Sequence, residues 1–275
     1  MVSPRNNNII PGYGPPTREE LISLYPPRFT WLQLKTFVSS GDLGLLKRDK
    51  ALQRRYEAWS KYIKAEYGSV LNYMTYYRLQ WGKPDRYSLL QSALDKNVQN
   101  TPLPVPPPGR PSEPPTIPAG APAYFTASTP PCYTSIIQND WPYCVPSEVE
   151  HTLIWTRLPI FQPSLIPESI QERVERDGLW GFTGSNEPPP SPSTLPAILP
   201  VLSEWGVTMD SLVRSPPGTQ EEDQLVKAAG KEVHDFVRNR WIEEEWETAW
   251  FVNPPRLQSI PGLAHIHVFA RKKSD

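Results

Sequence analysis

Thirty-five prolines are spread unevenly over the 275 residues of this chain. Each one removes a backbone donor and fixes φ, so no helix or central strand can run through the places where they cluster. Residues 102–131 hold twelve of them, including Pro106-Pro107-Pro108, and read as an exposed, semi-extended linker. Pro188 to Pro200 reads as a surface loop. Residues 1–28 combine Asn6-Asn7-Asn8 with two Pro-Pro pairs and no periodic apolar face, which is the pattern of a loose, disordered arm. Two blocks remain for the core, 29–101 and 132–275.

The first block is helical in its spacing. Thr30 and Gln33 have the separation of a reciprocal N-terminal cap, with Leu34, Phe37 and Val38 on one face and a stop near Gly41. Asp49 can cap a second helix in which Leu52, Tyr56, Trp59 and Ile63 recur at three and four, ending at Gly68. Ser69 can cap a third through Val70, Tyr73, Met74, Tyr77 and Leu79, before Gly82 and Pro84.

The second block mixes periods. The run from His151 to Arg157 is rich in β-branched and aromatic residues and reads as a strand with Leu153 and Trp155 on one face. Pro167 suits the first turn of a short helix closed by Gly178. Thr219 and Glu222 repeat the capping spacing and open one long helix whose buried stripe is Val226, Ala229, Val233, Val237 and Trp241. Ala249–Val252 and Ala264–Ala270 read as two more strands. The fold class is therefore α+β: an N-terminal helical block packed on or beside a small mixed sheet with flanking helices.

A formal charge of −1 gives no whole-molecule attraction to DNA or to a membrane surface. Two cysteines, Cys132 and Cys144, are too few for a disulfide framework and fit a reducing compartment. The first 30 residues lack an apolar signal core and no stretch reaches the roughly 18 apolar residues of a membrane span, so the cytoplasm is the expected location. Glycine-rich phosphate loops, zinc-binding cysteine pairs and Gly-x-Ser-x-Gly elbows are absent, and no cofactor is expected.

Four features bear chemistry. Glu243-Glu244-Glu245-Trp246-Glu247 places acid at a helix C-terminus, against the macrodipole. On one helical face Glu243, Glu244 and Glu247 can grip a guanidinium, hold a cation or share a proton; the alternative is a solvated acidic face. His265-Ile266-His267 puts two imidazoles on one strand face, which with Asp140 or His151 makes either a metal-assisted hydrolase site or hydrogen-bonded structure. Asp140, Trp141 and Tyr143 form an aromatic turn, either a pocket wall or core packing, and Cys144 beside them lacks a flanking histidine signature. Finally Lys47, Arg48, Lys50, Arg54, Arg55, Lys61 and Lys64 stand against only Asp49 and Glu57, interleaved with Tyr56, Trp59 and Tyr62. That is a phosphate-tracking pattern or the outer face of a core helix.

Three segments resemble the fungal family named after an N-acetylglucosamine-induced protein. They are Thr30-Trp31-Leu32 through Gly41-Asp42-Leu43, Leu46-Lys47-Arg48 and Tyr67-Gly68-Ser69; then Asn139-Asp140-Trp141-Pro142-Tyr143; then Trp250-Phe251-Val252-Asn253-Pro254, Leu257-Gln258-Ser259 and His265-Ile266-His267-Val268. The resemblance implies membership of a branch of arginine-containing cyclodipeptide synthases, which join arginyl and a second aminoacyl group from tRNAs into a diketopiperazine. That branch carries Asp-Asp-x-x-Glu, where this chain has Glu243-Glu244-x-x-Glu247; Cys144 stands where glycine is expected. The implied roles are catalysis for Glu243, Glu244 and Glu247, and substrate binding for Asp140, Trp141, Tyr143, Trp250, Asn253, His265 and His267. Contact with tRNA falls to Lys47, Arg48, Arg54, Arg55, Lys61 and Lys64. The other reading of the chain is a non-catalytic sugar-response or interaction protein.

Overall fold

Thr30 and Gln33 do cap each other: the Gln33 N–H donates to Thr30 Oγ1 at 3.2 Å and the Thr30 N–H to Gln33 Oε1 at 2.9 Å. They open the helix Trp31–Ser39 (α2). The computed structural model describes residues 12–95, 101, 117, 119–258, 260 and 262–273. Asp49 Oδ1 accepts from the Ala51 and Leu52 amides and starts α3, Lys50–Tyr67. Gly68 closes it at φ +79°, a left-handed conformation that costs glycine nothing. Ser69 caps α4, Val70–Tyr73, which runs on as a π-helical turn, Met74–Arg78.

Ahead of these lies α1, Arg18–Leu24, with its own Thr17–Glu20 capping box. The expected loose arm is thus structured from residue 12 on. Glu20 reaches Arg55 at 3.1 Å, and Arg55 also donates to the carbonyls of Gly14 and Pro15. An ion pair to α3 does what the arm's missing apolar periodicity does not.

The sheet has five strands: β1 Thr134–Gln138, β2 Val149–Thr156, β3 Leu179–Thr183, β4 Trp246–Val252 and β5 Ala264–Lys272. Their spatial order is β1-β2-β5-β4-β3. Every neighbour pair is antiparallel, not mixed as the sequence suggested, because β1–β2 and β4–β5 are joined without the crossover helix that parallel neighbours need. Period-two alternation sends Ile154, Trp250, Val252, Ile266 and Val268 to one face, under α5 (Glu168–Asp177) and two further helices, α7 (Gln220–Ala229) and α8 (Lys231–Arg240). The other face carries Leu153, Trp155, Phe251 and Phe269, covered by α2, α3 and α4. The result is a helix–sheet–helix sandwich.

Three expectations change. The long helix is two helices, broken at Gly230 (φ −86°, ψ 0°), where a Cβ would lie 2.9 Å from the Trp250 ring. The stripe Ala229, Val233, Val237 and Trp241 is nonetheless buried. Residues 188–200 lie mostly at the surface but are not all loop: Leu195–Ile198 is helical (α6), and Leu195 and Leu199, with Leu202 beyond them, sit in the core beside α2. The described part of the proline-rich linker, 119–131, is tied to the fold. Phe125 is 0% exposed in the core, its amide donates to the Pro159 carbonyl at 2.8 Å, and the Ala127 amide donates to Glu232. Residues 102–116 and 1–11 lie outside the described residues.

Candidate functional site

The acidic run does not share a helical face. Trp241 leaves the helical region (φ −108°, ψ 92°), so α8 ends at Arg240, and Glu247 falls in strand β4. There it is 7% exposed, accepting from Lys35 Nζ and Arg271 Nη2, each at 2.7 Å. Burial alone would raise its pKa, but those two bonds hold it below the usual carboxylate range. Glu244 is exposed. Glu243 turns to the sheet edge, where its Oε1 accepts from the Gly184 amide at 2.9 Å.

Asp140 is also committed. Its two oxygens take the Arg78 guanidinium at 2.7 and 2.8 Å, and Arg78 continues to both oxygens of Asp85. Burial disfavours the Arg78 charge, and the two carboxylates outweigh that and raise its pKa. Trp141 packs among Tyr56 and Trp59. Tyr143 lies parallel to His267 at 5.8 Å, with the Arg48 guanidinium over its ring.

Behind Tyr143 the buried imidazoles form a directed network. The Tyr143 amide donates to His151 Nδ1 at 3.4 Å, so a neutral His151 carries its proton on Nε2 and donates to His267 Nδ1 at 3.0 Å. His267 then holds its own proton on Nε2, 3.3 Å from the Asn253 side-chain amide; that geometry calls for the amide oxygen on this side. His265 stacks on Trp155 at 4.2 Å and bonds the Leu263 carbonyl. Burial pushes all three below the ordinary histidine value, His265 to about 4. These lone pairs and N–H groups satisfy one another instead of converging on a point. Among the described residues no group of three or more His, Cys, Asp or Glu is arranged to hold a metal ion. The metal-hydrolase set His265, His267 and Asp140 is therefore not assembled. Cys144 is buried, with its thiol pushed up to about 12 by desolvation, which disfavours a nucleophilic thiolate.

The basic residues split in two. Arg48 is used internally, donating to the Trp141 carbonyl and Gln53, and Arg55 anchors α1. Lys47 is half-buried, and desolvation lowers its pKa. Lys50, Arg54, Lys61 and Lys64 face outward on α3.

A hollow of about 1080 Å³ runs along β3 at the edge of the sheet. Its walls are the C-terminus of α2, the 187–193 segment, the 214–218 segment and α7. Its wall carries Asp177, Glu243, His234 and Trp250, with Glu187, Asp223 and the cations Arg173, Arg214, Lys227 and Lys231 beside them. Asp177 ends α5 and accepts from the Ser215 amide at 2.8 Å; burial nevertheless raises its pKa. Glu243 enters from the turn before β4. His234, on the first turn of α8, is half-buried, and neither ring nitrogen has a hydrogen-bond partner among the described residues. Desolvation lowers its pKa, so it is neutral at pH 7. Trp250 is 1% exposed and its Nε1–H is unpartnered. The indole lies across Gly181, where a Cβ would fall 2.6 Å from the ring. Of the residues singled out in the sequence, Glu243 and Trp250 meet here; His234 and Asp177 had gone unmarked. His234 looks like one polar position of an amphipathic helix, and Asp177 like an ordinary residue in the last turn of another.

Fold and groove define an α+β sandwich protein with a cleft at the β3 edge of an antiparallel sheet. The chain belongs to the family described as protein of unknown function (DUF3605), whose profile matches residues 30–176 and 213–271. His234, Glu243 and Trp250 fall within the matched segments, whereas β3 and Asp177 lie in the stretch between them. No curated protein matches the chain. Its structure is similar to the crystal structure of HTC1, with a TM-score of 0.41 and 18% identity over 88% of this chain and 85% of that one. No described helix is long and apolar enough to cross a membrane.

Proposed function

We propose that this protein is a tRNA-dependent aminoacyltransferase that condenses an arginyl and a second aminoacyl ester into a cyclic dipeptide, with the groove beside β3 as the site of bond formation. One observation carries the reading: carboxylates and a free imidazole border the same space. The two esters are already activated, so the reaction asks the protein only to orient them and move protons. Asp177 and Glu243 are two of the groove carboxylates available to a planar guanidinium. The outward cations of α3, Lys50, Arg54, Lys61 and Lys64, supply phosphate contacts for the tRNA. Glu247 and Asp140 support the fold in this reading and do not touch substrate.

Purified protein incubated with arginyl-tRNA and a mixture of other aminoacyl-tRNAs should yield arginine-containing diketopiperazines by mass spectrometry. Glu243→Gln and Asp177→Asn should each lower the yield roughly 30- to 150-fold, the loss of one charged contact of about 2–3 kcal/mol. No diketopiperazine from the wild-type protein with any aminoacyl-tRNA pair would remove this function. The β3 edge would then favour the non-catalytic reading, in which a partner adds a strand there.

A further inference from the structure

Four histidines occur in the chain. His151, His265 and His267 are buried on the α2–α3 face of the sheet and bond to one another or to the backbone. His234 alone lines the groove. The indoles divide in the same way. Of the tryptophans with a buried, unpartnered Nε1–H, Trp250 is the one whose ring forms part of the groove wall, and that N–H is itself sealed from the groove. The His234 and Trp250 rings meet edge to face, centroids 6.3 Å apart at 65°. The indole has no freedom to turn away, because its benzo ring fills the space left by the absent side chains of Gly181 and Gly230.

We infer that His234 takes the proton from the attacking amine, its imidazole held against the fixed edge of Trp250. This assignment rests on the proposed aminoacyl condensation. The amine nitrogen of one aminoacyl ester bonds to the carbonyl carbon of the other, and the imidazole accepts the proton released from nitrogen. The carbon–oxygen bond to the tRNA ribose then breaks, and the imidazolium returns its proton to that ribose oxygen. A second attack of the same kind closes the ring, leaving one diketopiperazine and two free tRNA hydroxyls. The groups facing His234 are Asp235 and Arg238 on its own helix, Lys227 from α7 and Glu243 from the turn before β4. They are two positive and two negative charges, so burial sets its neutral state.

The test follows diketopiperazine formation from arginyl-tRNA by the full-length protein over about pH 5–8, the range in which a histidine titrates. His234→Gln should lower the rate by ~10²–10⁴-fold, the usual contribution of a positioned general base. The acidic limb set by this imidazole should vanish from the pH profile. His234→Ala should regain activity with added imidazole, which a purely structural role would not allow. An active wild type with unaffected His234→Gln, or His234→Ala without rescue, overturns the proton role. A wild type inactive with every aminoacyl-tRNA overturns the condensation itself, and the proton role with it.

Discussion

Glu247→Gln should unfold the protein more readily without emptying the groove. The carboxylate is buried in β4 and takes one hydrogen bond from Lys35 and one from Arg271, both at 2.7 Å. The Lys35 side chain is 8% exposed and the Arg271 side chain 37%, so water can take over the second contact but not the first. Removing one partner of a buried pair and stranding the other costs about 3–5 kcal/mol. With most of the deficit on Lys35, about 3–4 kcal/mol is expected. At about 2–4 °C per kcal/mol for a chain of this size, Tm should fall by roughly 6–16 °C. The Lys35→Met, Glu247→Gln double variant should recover much of the loss, since neither charge is then stranded. Because the Glu247 pKa is lowered on folding, its stabilisation is present above the unfolded value of 4.5 and is lost as pH falls through the folded one. Thermal and urea melts of the wild type, the single variants Glu247→Gln and Lys35→Met and the double variant, with diketopiperazine yield per folded molecule, test this. An unchanged Tm together with lost activity would refute the structural role and return Glu247 to the reaction.

Three further outcomes are expected. The buried histidines have folded pKa values below 6.5, so the unfolded state binds protons first and stability should fall as pH drops from about 6.5 towards 4. The slope should approach about 1.4 kcal/mol per pH unit for each histidine; His267→Phe should flatten it in urea melts, and an equal slope would show that these groups do not titrate on unfolding. Phe125→Ala should cost about 3–5 kcal/mol in urea melts, whereas a free linker there would give no change. Changing Arg54, Lys61 and Lys64 together to Glu should weaken tRNA binding and reduce its salt dependence with Tm preserved; unaltered affinity at low salt would leave α3 an ordinary solvated face.

Local signals in the chain determined its local structure. The Thr30–Gln33 and Thr219–Glu222 spacings, Asp49 and Ser69 as caps, and Gly68 and Gly178 as stops all act within a turn of the residues they govern, so the helix ends can be read without knowing what packs on them. The alternation in His151–Trp155 and His265–Phe269 likewise puts those imidazoles on one face in any sheet. What the sequence could not state is distance between strangers. Lys35 meets Glu247, Arg78 meets Asp140 and Phe125 enters the core only once the sheet order β1-β2-β5-β4-β3 is formed. Tertiary packing overrode local preference at Gly230, where the Trp250 ring splits what the 3.6-residue period alone would make one helix. It also moved Glu247 from a helix face to a strand. The groove belongs wholly to that level: His234, Asp177, Glu243 and Trp250 come from three helices or turns and a strand, and no spacing in the chain relates them, because their shared space is made by the edge of β3 and the walls folded over it.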